Sequence, residues 1–379
     1  MKDSSKHLHI VSFDIPFPAN YGGAIDVYYR VRYLHSYGIK VHLHCYEYKR
    51  NHLHSQELED ICYSVDYYDR HDSVVKMISR LPYIAKTRHS KRLVENLLND
   101  DYPVFIEGLH CCMLLCDKRL NNRDMYVRMH NIEHEYYYRL SQVEKNWLKR
   151  VYLKLEVPRL KRFEQVLHKA TGVFAITAKD KEYFDEKGYN NVVLLPSSLQ
   201  YEDINSIEGQ GSYALFHGQL SVAENYNAVA YLVENVFSKT SIQLKVAGLN
   251  PPTHLARLIE NYDNVELIAN PSHDQMQHLI QNAHVNVLVT HQSTGLKLKL
   301  LNSLFNGRFC LVNSSMVEGT NLGDLCVVAD SADDLKRNLE ELFEKSFTTK
   351  DINDRATLLM QQYDNRLICN TLVENIYHK

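Results

Sequence analysis

Five short segments, each just after an apolar run, carry residue types that handle phosphates and sugars. The first is Asn20-Tyr21-Gly22-Gly23. Two glycines let the backbone approach a ligand with no Cβ in the way, and a helix starting there offers free amides to an anion. The pattern is not GxGxxG, so it implies no dinucleotide, and alone it is equally a plain strand-to-helix turn. The second runs Thr294-Gly295-Leu296-Lys297-Leu298-Lys299 and on to Asn302. Lys297 and Lys299 fall in the first turn of the expected helix, where the macrodipole disfavours cations. A bound diphosphate would resolve that conflict. Lys299, Asn302 and Asn306 share a polar face at i, i+3 and i+7, with Leu298, Leu301 and Phe305 opposite and buried.

The third segment is His217-Gly218-Gln219, whose glycine would bring backbone amides to a phosphate. The fourth is Arg128-Met129-His130-Asn131-Ile132-Glu133. A histidine at a strand end can orient or protonate a sugar hydroxyl or a phosphate, with Asn131 beside it to help fix the ring. The fifth, Glu318-Gly319-Thr320, offers a glycine and exposed amides. No GxSxG elbow, P-loop or metal-ligand spacing is present.

These segments need strands to aim them. HLHIVSF reads as a strand, a helix follows from Ala24 to Tyr37, and KVHLHCYEY is the next strand, so a parallel βαβ unit opens the chain. Ala24, Val27, Val31 and Leu34 give the helix its apolar stripe. Further strands read at PVFIEG, MYVRMH, GVFAIT and VVLLP. A second series reads at YALFHG, IQLKVAGL, NVELIA, HVNVLVT, RFCLVNS and LCVVA. The polar, turn-rich stretch between the series marks a boundary. The expected organisation is a Rossmann-like domain over residues 1–199, a second over 200–360, and a helix over 361–379 packing back on the first. Ligands in such sheets bind beyond the carboxyl ends of the strands.

The bulk figures agree with two domains. The chain has 379 residues, 45% hydrophobic and 23% charged, with a formal net charge of −3. Nothing in that balance points to nucleic acid. The 8 cysteines form no CxxC pair and read as small buried hydrophobes in a reducing compartment. The first residues lack a signal-peptide core and no window reaches the ~20 apolar residues of a membrane helix, so the expectation is a cytosolic protein. The 20 histidines include the pairs His7/His9, His42/His44 and His52/His54, each on one side of an extended strand. They read as solvated or half-buried strand faces, since no further ligands follow at metal spacing.

One basic segment stands apart. From Glu144 to Leu167 the pattern is helical, with Trp147, Val151 and Leu155 at i, i+4 and i+8 and cations around them. Residues 145–162 are thus a candidate for peripheral docking on the inner face of a membrane. The expectation is nevertheless an ordinary domain helix, its apolar row packed on the core, because Glu144, Glu156 and Glu164 interrupt the basic run.

Taken in order, FDIPFPANYGGAIDVYYRVRYL, VRMHNIEHEYYYRL, GVFAIT with Lys179-Asp180, FHGQLSVAENYNAV and GLKLKLLNSLFNGR resemble the family 4 glycosyltransferases, in particular those of bacterial capsule and surface-polysaccharide clusters. The resemblance spans almost the whole chain. It implies a GT-B fold, two doubly wound Rossmann-like domains facing a central cleft, with the acceptor on the first and a UDP- or GDP-linked sugar on the second. It implies retention of anomeric configuration and no catalytic metal. By position, Gly22 and Gly23 would touch the donor phosphate or transferred sugar, with Asn20, Tyr21 and Asn131 toward the acceptor. His130 would sit at the reacting sugar. Gly218, Gln219, Lys297, Lys299 and the Glu318-Gly319-Thr320 turn would surround the donor. The family's two usual glutamates are replaced here by Thr294 and Asn302. Asparagine keeps two hydrogen-bonding groups but loses charge-assisted strength. The departure motivates a second reading, a catalytically silent protein of the same fold that binds a glycan or partners an active transferase. A nucleotide-sugar epimerase of similar fold ranks below both.

Overall fold

A computed structural model describes residues 6–47, 56–72, 79–144, 146–290 and 297–378. The chain divides into two compact units, Met1–Gln200 with Tyr363–Lys379, and Tyr201–Gln362. The first unit runs β1 (His7–Ser12), α1 (Gly22–Ser36), β2 (Lys40–Glu47), α2 (Gln56–Ile61), β3 (Ser64–Asp69), α3 (Tyr83–Lys86), α4 (Lys91–Leu97), β4 (Val104–Glu107), β5 (Met125–Met129), α5 (Glu133–Val143), α6 (Trp147–Phe163), β6 (Gly172–Ala175), α7 (Ala178–Glu186) and β7 (Val192–Leu194). The second runs β8 (Ala214–Gln219), α8 (Ala223–Asn235), β9 (Leu244–Leu249), α9 (Thr253–Ile259), β10 (Val265–Ala269), α10 (His273–Asn282), β11 (Val285–Leu288), α11 (Leu298–Asn306), β12 (Phe309–Val312), α12 (Ser314–Val317), β13 (Val327–Val328), α13 (Ala332–Phe343) and α14 (Thr349–Tyr363). The last helix, α15 (Asn365–Tyr377), belongs to the first unit.

Both sheets are parallel, in the orders β3-β2-β1-β4-β5-β6-β7 and β10-β9-β8-β11-β12-β13. Each order reverses once, between β1 and β4 and between β8 and β11. Such reversals open a crevice at the carboxyl ends of the strands. Helices cover both faces, which is why the strands read as nearly continuous apolar runs. Leu8 and Ile10 pack with Val27, Val31 and Leu372, while Val11, Ile106 and Val127 pack with Leu93 and Leu97. The apolar stripe of α1 is buried as its spacing requires, and the helix starts two residues earlier than expected, at Gly22.

Some expectations need correction. The segment from Glu144 to Leu167 is not one helix: α6 ends at Phe163 and a tighter turn spans Glu164–Lys169. The apolar row of α6 faces solvent, because Leu153, Glu156, Leu160 and Phe163 make its buried face. On α11, Leu298 is half-buried, and Leu300, Leu301, Leu304 and Phe305 form the packed side. Asn306 is buried too, and donates to the Asn302 Oδ1 at 2.8 Å. Cys116 is exposed, unlike the other cysteines. Strand β3 has no counterpart in the sequence reading.

The paired histidines are not solvated. His9 Nδ1 meets His44 Nε2 at 2.9 Å and His7 Nδ1 meets His42 Nε2 at 2.9 Å across β1 and β2. Asp100 closes one end of this ladder at 3.0 Å from His9 Nε2, and the Tyr68 hydroxyl closes another at 2.9 Å from His44 Nδ1. His52 and His54 lie outside the described residues.

Candidate functional site

In the first unit the carboxyl ends of β4 and β5 put Glu107 and His130 together. His130 Nε2 lies 2.8 Å from Glu107 Oε2. Glu107 is fully buried and its other oxygen accepts from the Arg30 guanidinium. A carboxylate oxygen accepts, so the His130 ring donates to it through Nε2, and in the neutral imidazole with that proton Nδ1 is the acceptor. Helix α1 supplies the support, with Asp26 and Arg30 one turn apart on its buried face. Asp26 Oδ1 meets Arg30 at 2.5 Å, and Asp26 Oδ2 accepts from Arg128 Nε at 2.8 Å. Arg128 also donates to the Leu195 and Pro196 carbonyls at 2.7 and 3.0 Å. Burial alone would raise the Asp26 carboxyl, but the Arg128 and Arg30 guanidiniums outweigh it and hold it far below the usual carboxylate range. Burial and the neighbouring Arg30 bring Arg128 down to about 10.

Gly23 of the first segment meets this network through Phe13. A Cβ on Gly23 would stand 2.6 Å from Phe13 Cζ, and the Phe13 ring meets His130 edge to face at 5.3 Å. Tyr21 leaves the first turn of α1 without a side-chain cap, so its leading amides stay available to an anion. Asn20 and Tyr21 are exposed, and the Tyr21 hydroxyl donates to Asp14 at 2.8 Å. The Asn131 side chain acts on Glu133, whose carboxyl it pulls down, and the His130 ring is held by Glu107. Burial pushes the Glu133 carboxyl up to about 8, against the opposing pull of Arg88.

Asp26, Glu107 and His130 present ligand-type atoms within 4.8 Å of one another. That trio fits a cation poorly. Both carboxylates are already engaged by the Arg30 and Arg128 guanidiniums, which would repel a divalent ion.

In the second unit the switch point gathers the other segments. Gly218 has a φ of +154° and faces Asn225, whose amide donates to the Gln219 carbonyl at 2.9 Å. The Asn225 Oδ1 accepts from Lys299 Nζ at 3.1 Å, and Lys299 also stands over the Phe216 ring at 5.1 Å. Burial brings the Lys299 ammonium down to about 8, with Glu224 opposing and Lys297 adding to the shift. Lys297 is buried and occupies the N-cap position of α11 rather than its first turn. Burial lowers it as well, while Glu224 and Glu318 pull it up. Gly319 takes a left-handed φ of +72°, and the Thr320 hydroxyl donates to the Val317 carbonyl at 2.7 Å. His217 turns inward to Ser303 at 2.9 Å, held neutral by burial at about 3. Thr294 and Gly295 lie outside the described residues.

Sequence reasoning missed Glu107, Asp26, Arg30 and Arg128 as a set. Their signal was present: charged residues stood inside an apolar parallel strand and on an apolar helix face, where burial demands a partner. It also missed Gly248, where a Cβ would fall 1.9 Å from the Gly218 carbonyl. A glycine inside the strand LKVAGL marks such a close approach.

No protein-family model matches this chain. It is 26% identical over 385 residues to an uncharacterized 44.6 kDa protein in the cps region of Klebsiella pneumoniae, covering 96% of this chain and 98% of that one. Among solved structures it resembles TarM, with a TM-score of 0.71 at 10% identity, covering 98% of this chain and 99% of that one. It resembles a trehalose-6-phosphate structure from E. coli bound with UDP-2-fluoro glucose, with a TM-score of 0.65 at 10% identity and the same coverage. Sucrose-phosphate synthase from Thermosynechococcus elongatus gives a TM-score of 0.62 at 13% identity, with 98% and 96% covered. The chain has the GT-B fold, two parallel-sheet α/β domains.

Proposed function

We propose that this chain is a glycosyltransferase that moves a sugar from a nucleotide-diphosphate donor onto a glycan or lipid-linked glycan, in cell-surface polysaccharide synthesis. The cps-region relative and a neighbour holding UDP-2-fluoro glucose support that reading, with a UDP-linked donor ahead of a GDP-linked one. The observation that carries it is the Gly218–Gln219–Asn225–Lys299 constellation at a switch point. A half-buried ammonium beside a glycine turn and a helix start suits a diphosphate leaving group.

In this mechanism the second unit binds the donor, and Lys299 with Lys297 neutralises charge as the diphosphate departs. No metal is needed for that step. The first unit serves the acceptor and the transferred sugar, with Gly22, Gly23 and the α1 amides offered to an anionic or hydroxyl group of the sugar. His130, oriented by Glu107, accepts from a sugar hydroxyl through Nδ1. The anomeric configuration is retained.

Calorimetry with UDP and GDP tests the donor site. A phosphate contact to an ammonium is worth roughly 1.5–3 kcal/mol, so Lys299→Ala should weaken nucleotide binding about tenfold or more. Because Lys299 titrates near 8 and a bound phosphate favours its charged form, wild-type affinity should fall as pH rises through about 8. Unchanged affinity in the variant and across that range overturns the assignment. Nucleotide binding without donor hydrolysis or transfer would favour the silent-protein reading, which Thr294 and Asn302 in place of the usual glutamates motivate.

A further inference from the structure

Helix α6 turns its apolar row outward. Trp147 is 68% exposed, Leu148 61%, Val151 47% and Leu155 56%. At 100° per residue these four, with exposed Pro158, cover one side of the helix. Leu153, Leu160 and Phe163 hold the opposite side in the core. A single exposed apolar residue is ordinary, but a contiguous ridge marks a surface that meets something.

The charges on this helix sort by direction. Arg150, Lys154, Lys161 and Arg162 are exposed beside the ridge, and among the described residues no carboxylate pairs with Lys154, Lys161 or Arg162. The glutamates that interrupt the basic run do not share that face. Glu156 is buried, accepting from the Tyr83 amide at 2.7 Å and from Arg159 at 2.7 Å. Glu164 is buried and accepts from the Tyr183 hydroxyl at 2.8 Å. Glu144 is taken up by Lys149 at 2.7 Å. What faces outward is an apolar strip flanked by unopposed cations.

We infer that this face of α6 lies on an anionic lipid bilayer, with Trp147, Leu148, Val151 and Leu155 in the interface and the cations at headgroup phosphates. The side chain of Asn146 caps the helix start, accepting from Leu148 N at 3.0 Å and Lys149 N at 3.2 Å, so the ridge is formed before contact. An apolar strip with cations at its edge matches the two layers a lipid surface presents, acyl chains and phosphates. A second copy of this chain would offer the same cations and repel. Docking goes beyond the transfer chemistry and needs none of it.

Trp147 is the single tryptophan of the chain, so its fluorescence reports on this helix alone. The full chain is mixed with vesicles of phosphatidylglycerol and phosphatidylcholine, and with phosphatidylcholine vesicles. With the anionic vesicles the emission should shift to the blue and the protein should co-sediment, both reversed by high salt. Each cation at such a surface adds about fivefold to partitioning, so Lys154→Glu with Lys161→Glu should cut binding at least tenfold. Leu155→Ser should weaken it and shrink the blue shift; all three positions are exposed, so folding is kept, as circular dichroism checks. Protein that stays in the supernatant with unshifted emission at low salt overturns the inference. So does a concentration-dependent dimer that buries Trp147 without lipid.

Discussion

Glu107 decides what His130 can do. A strand-end imidazole with nothing on its inner nitrogen could adopt either tautomer, and one of the two would offer a donor where an acceptor is wanted. The buried carboxylate 2.8 Å away removes that choice, and the Arg30 guanidinium donates to its other oxygen. Glu107→Gln preserves shape while loosening this control, so turnover should fall roughly tenfold to a hundredfold with donor KM little changed. His130→Ala should cost about 10²–10⁴ in kcat, again with little effect on KM. Steady-state kinetics with a labelled donor checks both. A rise in donor KM at constant kcat would make His130 a binding residue. This pair also marks the limit of legibility at the residue scale. His130 was visible as a polar residue after an apolar strand; Glu107 was visible only as an anomaly, since its partners lie 77 and 23 positions away in sequence.

At the scale of elements, strands buried on both faces announced themselves through unbroken apolar runs, as at Val104–Glu107 and Val285–Leu288. Strand β3, SVDYYD, did not, because only Tyr68 of its six residues is buried and an edge strand carries no such run. The start of β1 and β2 likewise hid its character. Alternating histidines look like a wet strand face, yet Tyr102 and Tyr63 roof them over, His7 stacking on Tyr102 at 4.3 Å. Burial, then mutual repulsion, brings His42 down to about 4 and holds His44 well below its ordinary value. Burial lowers His9 as well, against the pull of Asp100. In the window between the ordinary 6.5 and about 4 the unfolded chain therefore binds more protons than the folded one. Stability must fall as pH drops through that window, being fully present above it. Asp100, Arg123, Asp66, Tyr63, Tyr68 and Tyr102 face the ladder, and the lowered Asp100 continues the loss at still lower pH. Discounted for partial exposure, the ladder is worth about 1–2 kcal/mol, or roughly 2–8 °C in Tm. Calorimetric melts from about pH 7 to about pH 5 should show that decline, and His42→Gln should flatten it. A melting temperature constant over the window would mean the ladder does not titrate on unfolding.

For the whole molecule, two sheets that share one strand order over six strands, the first carrying a seventh at its edge, each place their reversal beside charged residues, but of different kinds. The first holds two carboxylates matched by two guanidiniums; the second holds two half-buried or buried lysines, Lys297 and Lys299, within the pull of Glu224 and Glu318. Under the transferase reading, turnover should persist in EDTA, and loss of activity restored by Mg²⁺ or Mn²⁺ would overturn metal independence. The parallel architecture was readable because βαβ repetition is a pattern in one dimension. What each switch point contains depends on the residues the fold brings together, and residues 291–296, which include Thr294 and Gly295, lie outside the described set.

Helix α15 sets an order on the making of the protein. Ile368, Cys369, Leu372 and Ile376 complete the same core as Leu8, Ile10 and Val27, and Asn365 pins Leu199 through both its amide and its carbonyl, at 3.0 and 2.8 Å. During synthesis the second unit is an uninterrupted stretch and can close on itself as it emerges. The first unit must wait, one face of its sheet uncovered, until the ribosome has delivered residues more than 160 positions downstream of Leu199. The part of the chain made first is finished last, and for that interval its apolar sheet face is the surface a chaperone would meet.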